Sequence, residues 1–374
     1  MNAPAVKLRR DRSPPTVRIG LPLIGGELVR AARARNLPVL FSANAFAQRF
    51  PKGHDREGEF RRFRLPDLAQ LSGLDAALDS AGFVAAVRYG EYQWEVADYL
   101  DLVASFPWRW WAAMDYCNEP QVAADKPLRL LRMAATVARY EACAGEARRR
   151  GLPAPMPVLQ GWTAAEYVQS FEWLALEPCP PLLGVGSVCR RQVNGPDGVL
   201  EIVESLDRIL PATTQLHLFG VKSNALSVLA HHPRIASTDS MAWDFAARRE
   251  RPTLRTSSFR IECMDRWVQH QQTRISSRVL PQQQPFAFLF DEPVRDGFEA
   301  VALEALALQH ADLILSLDMD YLDAVWSAKR DAATAIAIVR ERGSSAAALC
   351  ALDELIAGLG ERIEQSLAVL PRFT

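Results

Sequence analysis

Short apolar runs punctuate the chain, and most of them end on a polar residue or a glycine before an amphipathic stretch begins. Residues 39–43 (VLFSA), 82–87 (GFVAAV), 110–115 (WWAAMD), 157–160 (PVLQ), 182–186 (LLGVG), 216–220 (LHLFG) and 235–239 (IASTD) are such runs. Continuous apolar runs of this length suit strands buried on both faces, the environment of a parallel sheet covered by helices. Between them, residues 128–150, 164–175, 199–210, 224–231 and 241–249 carry helical periodicity. The alternation is a βα pattern. So many units at this spacing predict an α/β protein built as a closed (β/α)8 barrel of the TIM type. The candidate for the remaining strand is 286–290 (FAFLF). From residue 295 onward the chain is rich in Ala and Leu with helical spacing, which predicts a helical C-terminal region over 295–374. Residues 1–17 carry Lys7, Arg9, Arg10 and Arg12 around a Pro pair, a flexible basic tail, leaving 18–294 for the barrel.

Composition adds limits. With 49% hydrophobic and 23% charged residues over 374 positions, the bulk of the chain is globular. A count of 43 Lys+Arg against 44 Asp+Glu excludes a polycation that holds nucleic acid by bulk charge, so any such site must be local. One local candidate exists. Residues 248–278 hold eight arginines (Arg248, Arg249, Arg251, Arg255, Arg260, Arg266, Arg274, Arg278) against Glu250, Glu262 and Asp265, an excess of +5. With Trp267 and His270 interleaved, this Arg-rich insertion suits a phosphodiester backbone, although a solvated surface has the same composition. The six cysteines fall at wide, irregular spacings with no C-x-x-C pair, which fits a reducing cytoplasm. No apolar run approaches the ~18 residues of a membrane span.

The polar residues that close the strand-like runs are Asp115, Gln160, Gly186, Gly220 and Asp239. Asp and Gly at strand ends are ordinary turn formers and helix caps. In a barrel, however, that edge gathers catalytic groups.

Six segments, in order, carry a family resemblance. They are 78–83 (LDSAGF), 114–120 (MDYCNEP), 158–162 (VLQGW), 182–186 (LLGVG), 218–222 (LFGVK) and 237–248 (STDSMAWDFAAR). The set resembles the motifs of the tRNA-guanine transglycosylase superfamily and covers about residues 78–248. The resemblance implies base exchange at a nucleoside, with Asp239 as the nucleophile that attacks C1′ and Asp79 as the group that moves protons. A carboxylate beneath C1′ suits the positive charge that builds there as the glycosidic bond breaks. Asp115 and Gln160 match the pair that reads the guanine edge, together with Ser80. Gly184, Gly186 and Gly220 match positions where backbone approaches the base, and Phe83 and Phe219 are candidates to sandwich its ring.

The departures narrow the likeness. The tRNA enzymes carry a C-x-C-x-x-C zinc module with a later His, whereas this chain has only Cys263, Asp265 and His270 in the comparable region. The expectation is therefore no metal and no cofactor, a degenerate zinc site being the lesser alternative. The second glycine of the Q-G-G motif is Trp162, and an appended tRNA-binding extension has no counterpart. The chain is thus most similar to the DNA-modifying (DpdA-type) 7-deazaguanine transglycosylases, which implies DNA as partner and a base such as 7-cyano-7-deazaguanine as co-substrate. Such a reaction needs the guanosine flipped out of the stack. Arg248, Arg249, Arg251, Arg255 and Arg260 are the candidates to hold the strand, with Trp162 or Trp267 as a wedge. A tRNA enzyme of the queuine or archaeosine type, a non-catalytic barrel subunit and a small-molecule ribosyl hydrolase are the alternatives. A homodimer or helper proteins are compatible with each.

Overall fold

The computed structural model describes residues 14–276 apart from 66–67, 190, 222–224 and 252–254. The first half of that stretch contains β1 (Thr16–Leu21), α1 (Glu27–Ala34), β2 (Val39–Ser42), β3 (Ala47–Arg49), β4 (Phe60–Phe63), α2 (Leu68–Leu71), β5 (Ala76–Asp79), α3 (Gly82–Val84), α4 (Val96–Ala104) and α5 (Lys126–Arg150). The second half contains β6 (Val158–Leu159), α6 (Ala164–Leu174), β7 (Leu182–Val185), α7 (Val199–Asp207), β8 (Gln215–Leu218), α8 (Leu226–Leu229), β9 (Ile235–Ser240), α9 (Ala242–Glu250) and α10 (Ser257–Ser276). Seven strands form one curled parallel sheet in the order β5-β2-β1-β9-β8-β7-β6, and β3 pairs with β4 as a separate antiparallel hairpin. Between the two outer strands runs segment 110–113. Trp111 bridges Leu78 on one side, and Ala112 bridges Met156, two residues before β6, on the other.

The elements follow from the residues. Strands such as VLFS and LLGV are buried along nearly their whole length, as a helix-covered parallel sheet requires. In α7, Val199, Ile202, Val203 and Leu206 recur at helical spacing and are all buried, whereas Glu201, between them, points outward. The long α5 starts where the Asp125 carboxylate accepts the Leu128 N–H and stops at Gly151, whose φ of 66° gives a left-handed cap. Thr163 and Glu166 form a capping box at the start of α6.

Three expectations change. First, Thr16–Leu21 is a strand, so the last two residues assigned to the basic tail belong to β1. Arg18 interrupts its apolar pattern and hides it. Yet the Arg18 side chain is buried, its guanidinium bonded to the Val39 and Asp75 carbonyls and, at 3.0 Å, to the Asp75 carboxylate. Second, residues 82–87 are helical, and the strand lies upstream at Ala76–Asp79. Ala81 takes φ 69°, which breaks the strand, and the Ala85 N–H closes the first helical turn on its carbonyl. Third, the Arg-rich segment begins as helix α9 and continues as helix α10, which packs against α9, α1 and α8. Arg278, the 286–290 run and the 295–374 region lie outside the described residues. No described helix is long and apolar enough to cross a membrane.

Candidate active site

Because the strands are parallel, their C-terminal ends lie along one edge. Asp79 ends β5 and Asp239 is the penultimate residue of β9; Gln160, Gly186 and Gly220 follow β6, β7 and β8 within two residues. Asp115 follows the bridging segment 110–113 and is bonded through its side chain to both Ser80 and Gln160. The strand-end residues singled out from the sequence therefore meet.

One half of the site is a buried hydrogen-bond network. The Asp115 carboxylate accepts from Ser80 Oγ at 2.8 Å through Oδ1 and from Gln160 Nε2 through Oδ2. Gln160 Oε1 in turn accepts from Ser187 Oγ at 2.6 Å, and Ser187 Oγ accepts the Asn118 N–H at 2.7 Å. Tyr92 braces the network from behind. Its hydroxyl lies 2.9 Å from Ser80 Oγ and 3.0 Å from both the N–H and the carbonyl of Asp115. Two glycines make room for these side chains. A Cβ on Gly186 would sit 2.2 Å from Gln160 Nε2, and one on Gly82 would sit 2.4 Å from the Asp115 carbonyl oxygen. Burial raises the pKa of Asp115, against the opposing pull of its hydrogen bonds. Asp79, whose Oδ2 accepts the Ala81 N–H at 3.0 Å, is pushed up to about 7, by burial first and then by the charges of Asp115 and Asp239.

The other half surrounds Asp239. Its Oδ1 accepts the Gly220 N–H at 2.9 Å, and Gly220 presents that group from φ 65°, a conformation that glycine adopts freely. His217 Nε2 lies 3.4 Å from the same oxygen, within ion-pair range but without hydrogen-bond geometry, while its Nδ1 pairs with Ser237 Oγ at 2.8 Å. Burial lowers the His217 pKa, so the ring is neutral near pH 7. Trp110 and Phe219 pack on the His217 ring with centroids 4.7 and 4.6 Å away, and the Arg18 guanidinium stands 5.4 Å over Trp110. Both contacts to the Asp239 carboxylate fall on Oδ1. Among the described residues no hydrogen bond reaches Oδ2.

Residues 56–289 match the family DeoxyPurine in DNA protein A (DpdA). The chain belongs to the DpdA family. The match spans every carboxylate of the site and stops short of β1 and β2, so Arg18 lies outside it. DpdA membership makes the chain a DNA-modifying protein of the transglycosylase type. No curated protein matches it.

The remaining residues singled out from the sequence are scattered over this DpdA chain. Phe219 lies in the aromatic stack with His217, 2.7 Å from where a Gly184 Cβ would fall, whereas Phe83 is 37% exposed on α3. Trp162 is covered by the Arg191 guanidinium at 4.2 Å, and Trp267 packs against the main core. Arg248 and Arg260 both bind the fully buried Asp244, and Arg251 lies 4.0 Å over the Phe259 ring; Arg249 and Arg255 are exposed. Cys263, Asp265 and His270 share α10 without converging. Cys263 is buried and accepts from Arg266, Asp265 pairs with Arg35, and His270 is exposed. Among the described residues no three His, Cys, Asp or Glu side chains are grouped to hold a metal. Sequence reasoning missed Tyr92, Ser187, His217 and Arg18. His217 alone carried a signal, a polar residue inside an apolar strand two positions before Phe219.

Proposed function

We propose that the protein exchanges guanine in DNA for a 7-deazaguanine base, such as 7-cyano-7-deazaguanine, through a covalent aspartyl-glycosyl intermediate on a closed (β/α)8 barrel. The Leu78–Trp111 and Ala112–Met156 bridges, which link β5 to β6 through segment 110–113, support the closed barrel. The observation that carries the chemistry is the meeting of Asp239 and Asp79 on one strand edge, with the Asp79 pKa at about 7. Asp239 Oδ2 attacks C1′ of a flipped-out deoxyguanosine, the C1′–N9 bond breaks, and the departing guanine takes the proton of the Asp79 carboxyl. The incoming base then gives its N9 proton to Asp79. Its N9 attacks C1′ from the face the guanine left, and the Asp239 carboxylate departs. Two displacements retain configuration, the proton lost in the first step is regained in the second, and no redox partner is needed. An acid with a pKa near the working pH serves both steps. Asp115 and Gln160 face the guanine edge, where N1–H and the exocyclic amine are donors that need an acceptor.

The test is to incubate the protein with labelled 7-cyano-7-deazaguanine and duplex DNA, single-stranded DNA or tRNA. Label entering DNA, with one guanine released for each base incorporated, is the expected outcome. Label in tRNA alone overturns the assignment of the polymer, and guanine release without incorporation overturns base exchange.

A further inference from the structure

The proposed reaction requires a surface that holds the DNA backbone at the catalytic edge, and the arginines of 248–278 are poorly suited to it. Arg248 and Arg260 are committed to Asp244 and Arg266 to Glu250, while Asp265 of α10 binds Arg35. Arg35 caps the C-terminus of α1, just before β2 begins, so this part of α10 lies at the strand edge opposite the site.

A second basic segment lies at the catalytic edge. The β3–β4 hairpin leaves the C-terminal end of β2 five residues after Ser42, which is in register with Asp79. Residues 47–64 contain Arg49, Lys52, Arg56, Arg61, Arg62 and Arg64 against Asp55, Glu57 and Glu59. Arg56 pairs with Glu59, but among the described residues no acid pairs with the exposed Lys52, Arg61 or Arg62. Near the tip the Phe50 ring is flanked by the Arg56 and Arg61 guanidinium groups at 4.7 and 5.8 Å and stacked by His54 at 4.3 Å. The base of the hairpin is fixed. Phe60 and Phe63 pack on Trp94 at 5.6 and 5.2 Å, Trp94 packs on Tyr92 at 5.5 Å, and the Tyr92 hydroxyl bonds Ser80 and Asp115. Between that base and residues 23–26 after β1 lies a groove of about 350 Å³ that Arg64 and Gln48 help to line.

We propose that the β3–β4 hairpin is the arm that holds the phosphodiester backbone of the DNA beside the catalytic edge, with Lys52, Arg61 and Arg62 as its phosphate contacts. The inference rests on the reading of DNA as substrate. Exposed cations without an acid partner, on the same short hairpin as an aromatic ring, are what a single strand leaving a flipped nucleotide requires, since phosphates seek the charges and a base stacks on the ring system.

The test compares wild type with a Lys52→Glu/Arg61→Glu/Arg62→Glu variant and with Arg249→Glu/Arg255→Glu, measuring DNA affinity across a salt series, KM for DNA and the melting temperature. The hairpin variant is expected to keep its melting temperature, to lose at least about tenfold in affinity near 0.1 M salt, and to lower the log–log salt slope by about 2.1, three phosphates at about 0.7 each on a single strand. The paired change in the 248–278 segment is expected to cost less than half of that slope. Equal or greater loss from the latter variant, or an unchanged slope in the hairpin variant while wild type still modifies DNA, overturns the hairpin assignment alone. Wild type that binds and modifies tRNA but not DNA overturns both the hairpin as a DNA arm and the reading beneath it.

Discussion

The two halves of the site hold their carboxylates by opposite means. Around Asp115, both oxygens are bonded to side chains that are themselves bonded onward, through Ser80 to Tyr92 and through Gln160 to Ser187 and Asn118. Around Asp239, among the described residues, contacts fall on one oxygen, from a backbone N–H and a histidine that approaches without bonding it. A carboxylate bonded at both oxygens is fixed in orientation, which is what reading a base edge requires. A carboxylate tethered at one oxygen keeps the other for bond formation, which a nucleophile requires. Asp79 is raised by burial and by the charge of both neighbours, and in the proposed reaction it would connect base recognition with bond exchange.

The largest effect expected from breaking this division is at Asp239. Asp239→Ala should lower incorporation by on the order of 10⁴-fold or more and abolish the covalent protein–DNA adduct on denaturing gels, because it removes the proposed nucleophile, and Asp79, the other carboxylate held at one oxygen on this edge, keeps its proton up to about pH 7. An adduct formed by the alanine variant would move the nucleophile to the other half of the site. Asp79→Asn comes next, with an expected loss of about 10²–10⁴-fold in exchange. It should also stabilise the protein above pH 7. The folded Asp79 carboxyl keeps its proton up to about pH 7, whereas an unfolded aspartate loses it near 3.8, so between those values the native state binds the extra proton and stability falls as pH rises. Above pH 7 the wild type has lost up to about 4 kcal/mol that the neutral amide does not lose. Melting curves at pH 5 and pH 8 check this: the variant's gain over wild type should be clearly larger at pH 8 than at pH 5, where only about a third of the loss has accrued. An equal melting temperature at both would mean that Asp79 ionises normally.

A smaller effect is expected at His217, the group that separates tethering from bonding. His217→Phe keeps the ring packed between Trp110 and Phe219 and removes Nε2 from Asp239 Oδ1. Among the described residues, the carboxylate that would leave in the proposed second step then keeps only the Gly220 N–H. Breakdown of the adduct should slow about tenfold, roughly 1.4 kcal/mol, with formation less affected, and His217→Gln should recover part of the rate. Parallel losses in both steps together with a lower melting temperature would reduce His217 to packing.

The strands that alternate cleanly with helices were legible because burial on both faces writes itself as a continuous apolar run. Two places were not legible, for physical reasons. β1 contains Arg18, a charge that a strand tolerates only because Asp75 and two carbonyls, all far along the chain, receive it. The 82–87 run has strand-like composition, but the left-handed turn at Ala81 and the close approach of Gly82 to Asp115 make it the start of a helix. The site was legible at its carboxylates, glycines and Gln160, which carry motif spacing. Tyr92 lies ten or more residues from any motif partner, and its role exists only in the folded chain. The arginine count drew attention to 248–278, since composition cannot tell a paired guanidinium from an unpaired one. The hairpin holds the same number of acids, three, against fewer bases, and its count drew no attention.

Tyr92 supplies the smallest and most discriminating change, because it belongs to the network around Asp115, proposed to read the base, and to the aromatic stack beneath the hairpin at once. Tyr92→Phe keeps the ring against Trp94 and removes only the hydroxyl, which leaves the buried Asp115 N–H without its partner. The cost to stability should be about 1–3 kcal/mol. If the network reads the base and the stack only supports the arm, KM for the 7-deazaguanine should rise a few-fold while KM for DNA stays unchanged. A rise in both would show that the two regions move together, and the division between a fixed base pocket and a free nucleophile would have to include the arm that delivers the strand.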